Sequence, residues 1–328
     1  MKRQILTAAA MVGVLALAGC SGAGGGDTPG EDGELTPVSA AVIPIADTAA
    51  IWLGVDQGFF EEEGLDVTID TAGGGAAIVP GVVSGDYDFG FSNYVSLMFA
   101  NEQFGTDTPM SLSVVANGVT ASEDLEKDFG GVVVRADSDI QTAADLAGRS
   151  VSVNTLANIG DSTVSQIVAD DGGDASTIEF IEVGFPDAPA ALENGQVDAA
   201  WIVEPFLTQA VDAGARVLFY NFNGFDPELD VAGYFTSAQT IEQKPEVVDA
   251  FRAAMKRSLE YAGDNPDEVR RILGTYTEIS PELIEQIALP RFRADVDLDA
   301  AQRLADAAVE FSGLSTAPEL DTFFALDD

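Results

Sequence analysis

From residue 38 to residue 236 short apolar runs alternate with segments of helical length, and few folds are open to a chain with that rhythm. Strands are expected at 38–43, 65–69, 87–91, 110–116, 131–134, 151–153, 178–183, 197–202, 217–220 and 233–236. Between them Asp47 can cap a helix carrying Ile51, Trp52, Leu53 and Val55, stopped by glycines near 58–64. Gly73, Gly74 and Gly75 open a helix to about Val83, and another starts at Asn93. Further helices are expected at 142–147, 160–170, 187–193 and 204–213. After Pro245 the pattern is helical to the end, with stops at Pro266, Pro281 and Pro290. Alternation of this kind predicts α/β units with sheets covered on both faces.

The two halves echo each other. Residues 82–91, with Gly85 and Asp88, line up with residues 192–201, with Gly195 and Asp198, and Gly74 and Gly184 keep the same offset. Each copy reads as a helix end, a glycine stop, a short turn, an aspartate and a buried strand. Any helix-to-strand turn favours a glycine and a polar residue, so the motif alone also fits an ordinary turn. Two similar lobes, one in each half, is the functional reading.

Composition removes whole classes of chemistry. Histidine is absent, which excludes Ser-His-Asp and Cys-His catalysis and most zinc sites. No metal and no cofactor is expected. The formal charge is −40, from 15 basic and 55 acidic residues, so neither nucleic acid nor polybasic docking on anionic lipid is expected. A solvated acidic surface accounts for most of that charge, and Glu61–Glu63 and residues 123–128 are read as parts of it. One cysteine leaves no intramolecular disulfide.

That cysteine stands where an address is written. Lys2 and Arg3 precede a mostly apolar stretch, residues 5–16, too short to span a bilayer of ~30 Å as a helix. Leu17-Ala18-Gly19-Cys20 resembles the lipobox of bacterial lipoproteins, in which the cysteine thiol is acylated and cleavage leaves it first. The glycine-rich, acidic stretch that follows cannot bury a core and suits a tether. Two acyl chains at ~0.8 kcal/mol per buried methylene would hold the protein at a membrane, extracytoplasmically, with no spanning helix.

The specific resemblance lies in motifs that follow one another along the chain. They are Leu53-Gly-Val-Asp-Gln-Gly-Phe-Phe-Glu-Glu-Glu-Gly-Leu-Asp-Val67, Ser84-Gly-Asp-Tyr-Asp-Phe-Gly90 and Ala144-Asp-Leu-Ala-Gly-Arg-Ser-Val-Ser-Val153. Ala191-Leu-Glu-Asn-Gly-Gln-Val-Asp-Ala-Ala200 with Glu204-Pro205, and Asn265-Pro-Asp-Glu-Val269, complete the set. Residues 38 to about 320 thereby resemble the nitrate/sulfonate/taurine class of ABC solute-binding proteins, the NMT1/THI5-like group. The resemblance implies a type II periplasmic-binding-protein-like fold, two α/β lobes joined by two crossing segments with the ligand between them. The crossings are expected near 116–128 and 219–232. The implied domains are a signal at 1–19, a lipid-anchored linker at 20–36, lobe I at 37–117, lobe II at 118–220 and the rest of lobe I at 221–328. Implied partners are a small-molecule ligand, permease and ATPase subunits, and the membrane through its lipid anchor.

By family position the cleft-facing loops carry Asp47, Thr48, Gly74, Gly75, Ser92, Asn93 and Tyr94 in lobe I. In lobe II they carry Asn154, Asn158, Gly160, Asp161, Trp201 and Glu204, and Trp52 can join them from the first helix. Helix starts there offer free N–H groups to a polar ligand. Each residue has a structural rival: turn glycine, helix cap, core aromatic or first-turn acid. No Lys or Arg occurs between Gln4 and Glu126, so a nitrate or sulfonate would need N–H groups, hydroxyls or Arg135 and Arg149, which sit in structural contexts. Trp52, Tyr94, Trp201, Asp47 and Glu204 better suit a small flat polar or amine-bearing guest. Oxyanion and heteroaromatic ligands both stay open. A binding module is the leading class, a sensor or surface protein the alternative. An enzyme of the thiamin-pyrimidine synthase type is less favoured, because those enzymes consume a histidine of their own chain. Replacing Cys20 with Ser should release the protein to the medium or leave its signal uncleaved, read by fractionation and mass. A processed variant still at the membrane would refute the anchor.

Overall fold

The computed structural model describes residues 35–326. The expected signal, Cys20 and most of the expected linker lie outside the described residues. Pairing begins at Thr36, whose N–H donates to the Gly64 carbonyl at 2.8 Å, so this last linker residue already opens a strand.

The strands are β1 (Thr36–Val42), β2 (Leu65–Thr71), β3 (Phe89–Asn93), β4 (Leu112–Thr120), β5 (Gly130–Arg135), β6 (Ser150–Val153), β7 (Glu179–Glu182), β8 (Ala199–Val203), β9 (Ala215–Tyr220) and β10 (Asp230–Ser237). They form two five-stranded sheets of matching order, β2-β1-β3-β10-β4 and β7-β6-β8-β5-β9. In the first, β1 runs parallel to β2 and β3, and β10 lies antiparallel between β3 and β4. In the second, β6 runs parallel to β7 and β8, and β5 lies antiparallel between β8 and β9. The antiparallel member of each sheet is the strand that arrives from the other sheet. With helices packed on the sheets, this is the two-lobed type II binding-protein architecture with two crossing segments.

The echo has a shared physical basis. Gly85 and Gly195 take the left-handed conformation, φ 81° and 66°, that ends each preceding helix. The aspartate three residues on then clamps a serine of the neighbouring strand. Asp88 accepts from the N–H and Oγ of Ser39 at 2.9 and 3.1 Å, and Asp198 from the N–H and Oγ of Ser150 at 2.9 and 2.8 Å. The Ser150 bonds hold the Asp198 carboxyl below its usual range.

After β10 the chain covers the first sheet, and later helix Leu298–Ala307 and residues 308–312 pack on helix Ile159–Asp170 of the second lobe. Helix Pro245–Asp264 buries Val248, Phe251, Ala254, Met255, Ser258, Leu259 and Ala262, one face at helical spacing. Phe251 stacks on Phe89 of β3 at 3.7 Å between ring centroids. Gly54 lets this helix approach helix Ala49–Asp56, because a Cβ there would sit 2.1 Å from Ser258 Oγ.

The crossings differ from expectation in their ends. Strand β4 continues to Thr120, leaving 121–129 as the first crossing, and 221–229, with the short helix Asn221–Phe225, is the second. Polar Asn117 and Thr120 read as loop residues, yet both are fully buried in the strand because Asp230 of β10 takes their donors. Asn117 Nδ2 donates to Asp230 Oδ1 at 2.9 Å and Thr120 Oγ1 at 2.6 Å. Arg293 adds two bonds of 3.0 Å and the Asp297 N–H one of 2.7 Å. Replacing Asp230 with Ala strands these donors in a dry interior. It should lower stability by about 3 kcal/mol, seen in denaturant unfolding.

Candidate functional site

Where the lobes face each other, a cavity is lined from the first by Ile43, Ile45, Asp47, Phe91 and Asn93, with Val231 and Ala232 of β10. The second lobe contributes Asn154, Ile159, Phe185, Trp201 and Val203, with Phe222 of the second crossing. The centre of a water molecule can occupy about 30 Å³ of it. As it stands the space is room for about two water molecules, so a ring-sized guest would require the walls to part.

Asp47 sits in a 3₁₀ turn, Ala46–Thr48, between β1 and helix Ala49–Asp56. It was expected as a helix cap, but neither helical start has a side-chain cap bond. The carboxyl is 3% exposed, and its Oδ1 has no hydrogen-bond partner in the protein. Burial raises it to about 8, with the like charges of Asp128 and Glu204 adding and its own main-chain N–H opposing. The turn is held from two sides. Thr48 Oγ1 donates to the carbonyls of Ile43 and Ile45 at 2.9 and 3.2 Å. Tyr276, at the end of helix Pro266–Tyr276, also donates to Ile45 O at 2.9 Å while its ring stacks on Trp52 at 4.8 Å. Trp52 thus lies outside the cavity lining, its Nε1 buried without a partner.

The floor on the other side is aromatic. Trp201 of β8 is 2% exposed, 5.4 Å from Phe185 and 6.1 Å from Phe222 between ring centroids. Its Nε1 donates to Asn221 Oδ1 at 2.9 Å, and Asn221 donates to Thr163 Oγ1 at 2.8 Å, which fixes the indole plane. Gly160 makes room for that plane, since a Cβ there would lie 2.4 Å from the indole.

The remaining expected residues divide between the cavity and other duties. Asn93 lines the cavity while capping helix Tyr94–Phe104 through the Ser96 N–H at 2.9 Å. Asn154 lines it too and accepts from Asn158 Nδ2 at 2.8 Å. Asn158 and Asp161 form a capping box at helix Ile159–Asp170. Burial raises Asp161 to about 6 despite three donors, the N–H groups of Ala157 and Asn158 and the hydroxyl of Ser312. Gly74 and Gly75 begin helix Gly75–Ser84 without a side-chain cap. Ser92 lies under Gly75, its hydroxyl buried and unpartnered. Tyr94 is core, donating to Asn117 at 2.5 Å between Phe323 and Phe324. Glu204 does not line the cavity; it accepts from Thr208 and from the N–H of Ala288.

Sequence reasoning missed Phe185, Phe222 and Tyr276. Phe185, one residue past Gly184 of the internal echo, carried a signal for cleft placement; Tyr276, some 230 residues from the turn it supports, carried none. No Lys or Arg lines the cavity. Arg135 is spent on the carbonyls of Leu192 and Val197 and Arg149 on Asp139, as their contexts implied. Among the described residues no group of three or more acidic or cysteine side chains is placed to hold a metal ion, and no helix is long and apolar enough to cross a membrane.

The chain is similar to the formylaminopyrimidine-binding protein of Halalkalibacterium halodurans, 24% identical over 285 residues that span 84% of this chain and 81% of that one. Among solved structures it is similar to the ligand-binding component of an ABC-type import system from Staphylococcus aureus with zinc bound. That likeness has a TM-score of 0.75 at 13% identity, covering 89% of this chain and 97% of the other. It is also similar to the alkanesulfonate-binding protein SsuA from Xanthomonas axonopodis pv. citri bound to MOPS, with a TM-score of 0.72 at 16% identity over 90% and 99% of the two chains. At these identities the structural likenesses establish the fold. The family profile described as NMT1/THI5 like matches residues 45–269, well over half the sequence, and the chain belongs to that family.

Proposed function

We propose that this protein is the extracytoplasmic, lipid-anchored capture component of an ABC importer, a binding protein and not an enzyme. Its ligand is a small planar nitrogen heterocycle of the aminopyrimidine class. The single observation that carries the ligand assignment is the unpartnered, buried Oδ1 of Asp47 in a cavity that no cationic side chain lines. An amidine-like edge, a ring nitrogen beside an exocyclic amine, meets a carboxyl through two hydrogen bonds that share one proton. The amine donates to one oxygen, and the ring nitrogen accepts from or donates to the other. The ring face then lies against Trp201, Phe185 and Phe222, in a cleft that must open to admit it. Asn93 and Asn154 supply the polar groups that select substituents. The similarity to a formylaminopyrimidine-binding protein supports this reading.

A nitrate- or sulfonate-like oxyanion is the second reading. The uncapped start of helix Gly75–Ser84 beside the unpartnered Ser92 hydroxyl favours it, as does the likeness to SsuA. A buried acid with no cation beside it opposes it.

Calorimetric titration with 4-aminopyrimidine, cytosine, nitrate and ethanesulfonate separates the two. An aminopyrimidine should bind and both anions should fail. Asp47→Leu should then weaken binding by about 1–3 kcal/mol, or roughly 5- to 150-fold. Tight anion binding unaffected by that change would overturn the assignment.

The acid also sets a pH profile. Free Asp47 is protonated below about 8, and the bound pair keeps one proton, so affinity for a neutral aminopyrimidine should fall as pH rises through about 8. Asp47→Asn offers the same donor and acceptor without titrating and should flatten that fall while keeping most of the affinity.

Stability of the free protein has the same sign. Asp47, at about 8, and Asp128 and Asp161, at about 6, bind protons more tightly folded than unfolded. Their contribution is fully present below about 4 and lost as pH passes through 6 and then 8. The melting temperature should therefore fall between pH 5 and pH 9, and Asp47→Asn should remove the part above pH 7.

A further inference from the structure

Glu204 lies at the end of β8 in the second lobe, where its N–H donates to the carbonyl of Phe129 at 2.8 Å. Its carboxylate, 1% exposed, takes two donors from its own lobe, the N–H and Oγ1 of Thr208 at 3.0 and 2.7 Å. A third comes from elsewhere: the Ala288 N–H reaches Oε1 at 3.1 Å. Ala288 belongs to the first lobe's covering. Arg270 of helix Pro266–Tyr276 grips the preceding turn through the carbonyls of Ile284 and Ile287 at 2.5 and 3.3 Å, and that helix packs on helix Ala49–Asp56. The main-chain carbonyl of Glu204 accepts a second first-lobe donor, the N–H of Ala46, at 3.2 Å.

We propose that Glu204 is the closure latch of the clamshell, a positioning residue that holds the lobes shut by seating two first-lobe N–H groups, and not a ligand contact. This rests on the capture reading above for its purpose but not for its test. Both donors are main-chain groups, so the latch does not depend on which side chains the cleft presents. Separation of the lobes would break both bonds and hydrate the carboxylate; closure restores a charge-assisted bond in a dry site, the kind that contributes most. Ala46 immediately precedes Asp47, so the turn that a ligand would immobilise is the turn that the latch holds. Occupancy and latching then reinforce each other, and Glu204 governs how long the cleft stays shut and not what enters it.

Hydrogen exchange on the ligand-free protein tests the latch directly. Glu204→Ala removes the bond to Ala288 directly but keeps the main-chain carbonyl that Ala46 uses, so faster exchange at Ala46, by about 10- to 100-fold with the β1 and β6 amides unchanged, reports that the lobes have parted. Small-angle scattering should show a larger radius of gyration. Glu204→Gln keeps an acceptor oxygen and should fall between the two; it also serves if the alanine variant does not fold. Unchanged exchange at Ala46 and an unchanged radius in a folded variant would overturn the proposal, whatever Ala288 does. The ligand assignment could fail without altering this result, because no ligand enters the measurement.

Discussion

The buried carboxylate of Asp230 is the point on which the two-lobed arrangement turns. It stands at the first residue of β10, where the chain re-enters the first sheet from the second crossing, and it is wholly buried. By accepting from Asn117 and Thr120 it lets β4 continue through polar residues to the brink of the first crossing. By accepting from Arg293 and the Asp297 N–H it draws in the late segment that overlies both crossings. Arg291 in that segment donates to the carbonyls of Ala121 and Pro227, one at the start of the first crossing and one within the second. Asp128 then laces the crossings together, accepting from Ser122 in one and Asn223 in the other. The two short segments that carry the chain between the sheets are thereby hydrogen-bonded to each other and to the late segment.

Charge distribution along the chain shapes the same assembly. The first 123 residues after Arg3 contain no cation, so the acids of the early first lobe depend on residues that arrive much later. Lys244 meets Asp88, Arg257 meets Glu62 and Glu63, Arg271 meets Asp56, and Arg291 meets Glu123. Each exposed pair contributes little, about 0–1 kcal/mol. Their collective effect is to relieve a heavily negative lobe that would otherwise repel itself. None of these cations reaches Asp47. Its carboxyl is left to burial and to the neighbouring acids, which keep its proton on near neutral pH.

How far the sequence could be read follows from the range of each interaction. The alternation of strands and helices, the glycine stops and the paired Asp88 and Asp198 are local, and they were legible. Where a polar side chain finds its partner was not. Asn117 and Thr120 read as loop residues because Asp230 lies more than a hundred positions away. Tyr94, Asp161 and Glu204 each stand at a cleft-side helix start or strand end, the address expected of a ligand contact. The structure gives them Asn117, Ser312 and Ala288 as partners. Position in the family pattern predicts proximity to the cleft, while the burial and satisfaction of each polar atom decide its use. Asp47 is the converse case: it read equally well as a cap, and only the absence of any donor to Oδ1 within the fold distinguishes it.

That unpartnered oxygen also bears on the energetics of closing. Shutting the lobes around an empty cleft leaves a buried carboxyl with an unmade hydrogen bond, at a cost of about 1–3 kcal/mol. In the proposed latch the Glu204 bonds to Ala46 and Ala288, formed by the same movement, act against that cost. If the latch acts as proposed, the free protein would sit near balance between open and shut, where a modest input decides the outcome. On the proposed reading, a ligand that satisfies Asp47 would remove the penalty and leave the latch unopposed, shifting the equilibrium by roughly 5- to 150-fold. A ligand that lies against Trp201 without reaching Asp47 gains the stacking but not the shift. Discrimination would then reside in the difference between entering the cleft and closing it, a difference that on the proposed reading a single carboxyl supplies.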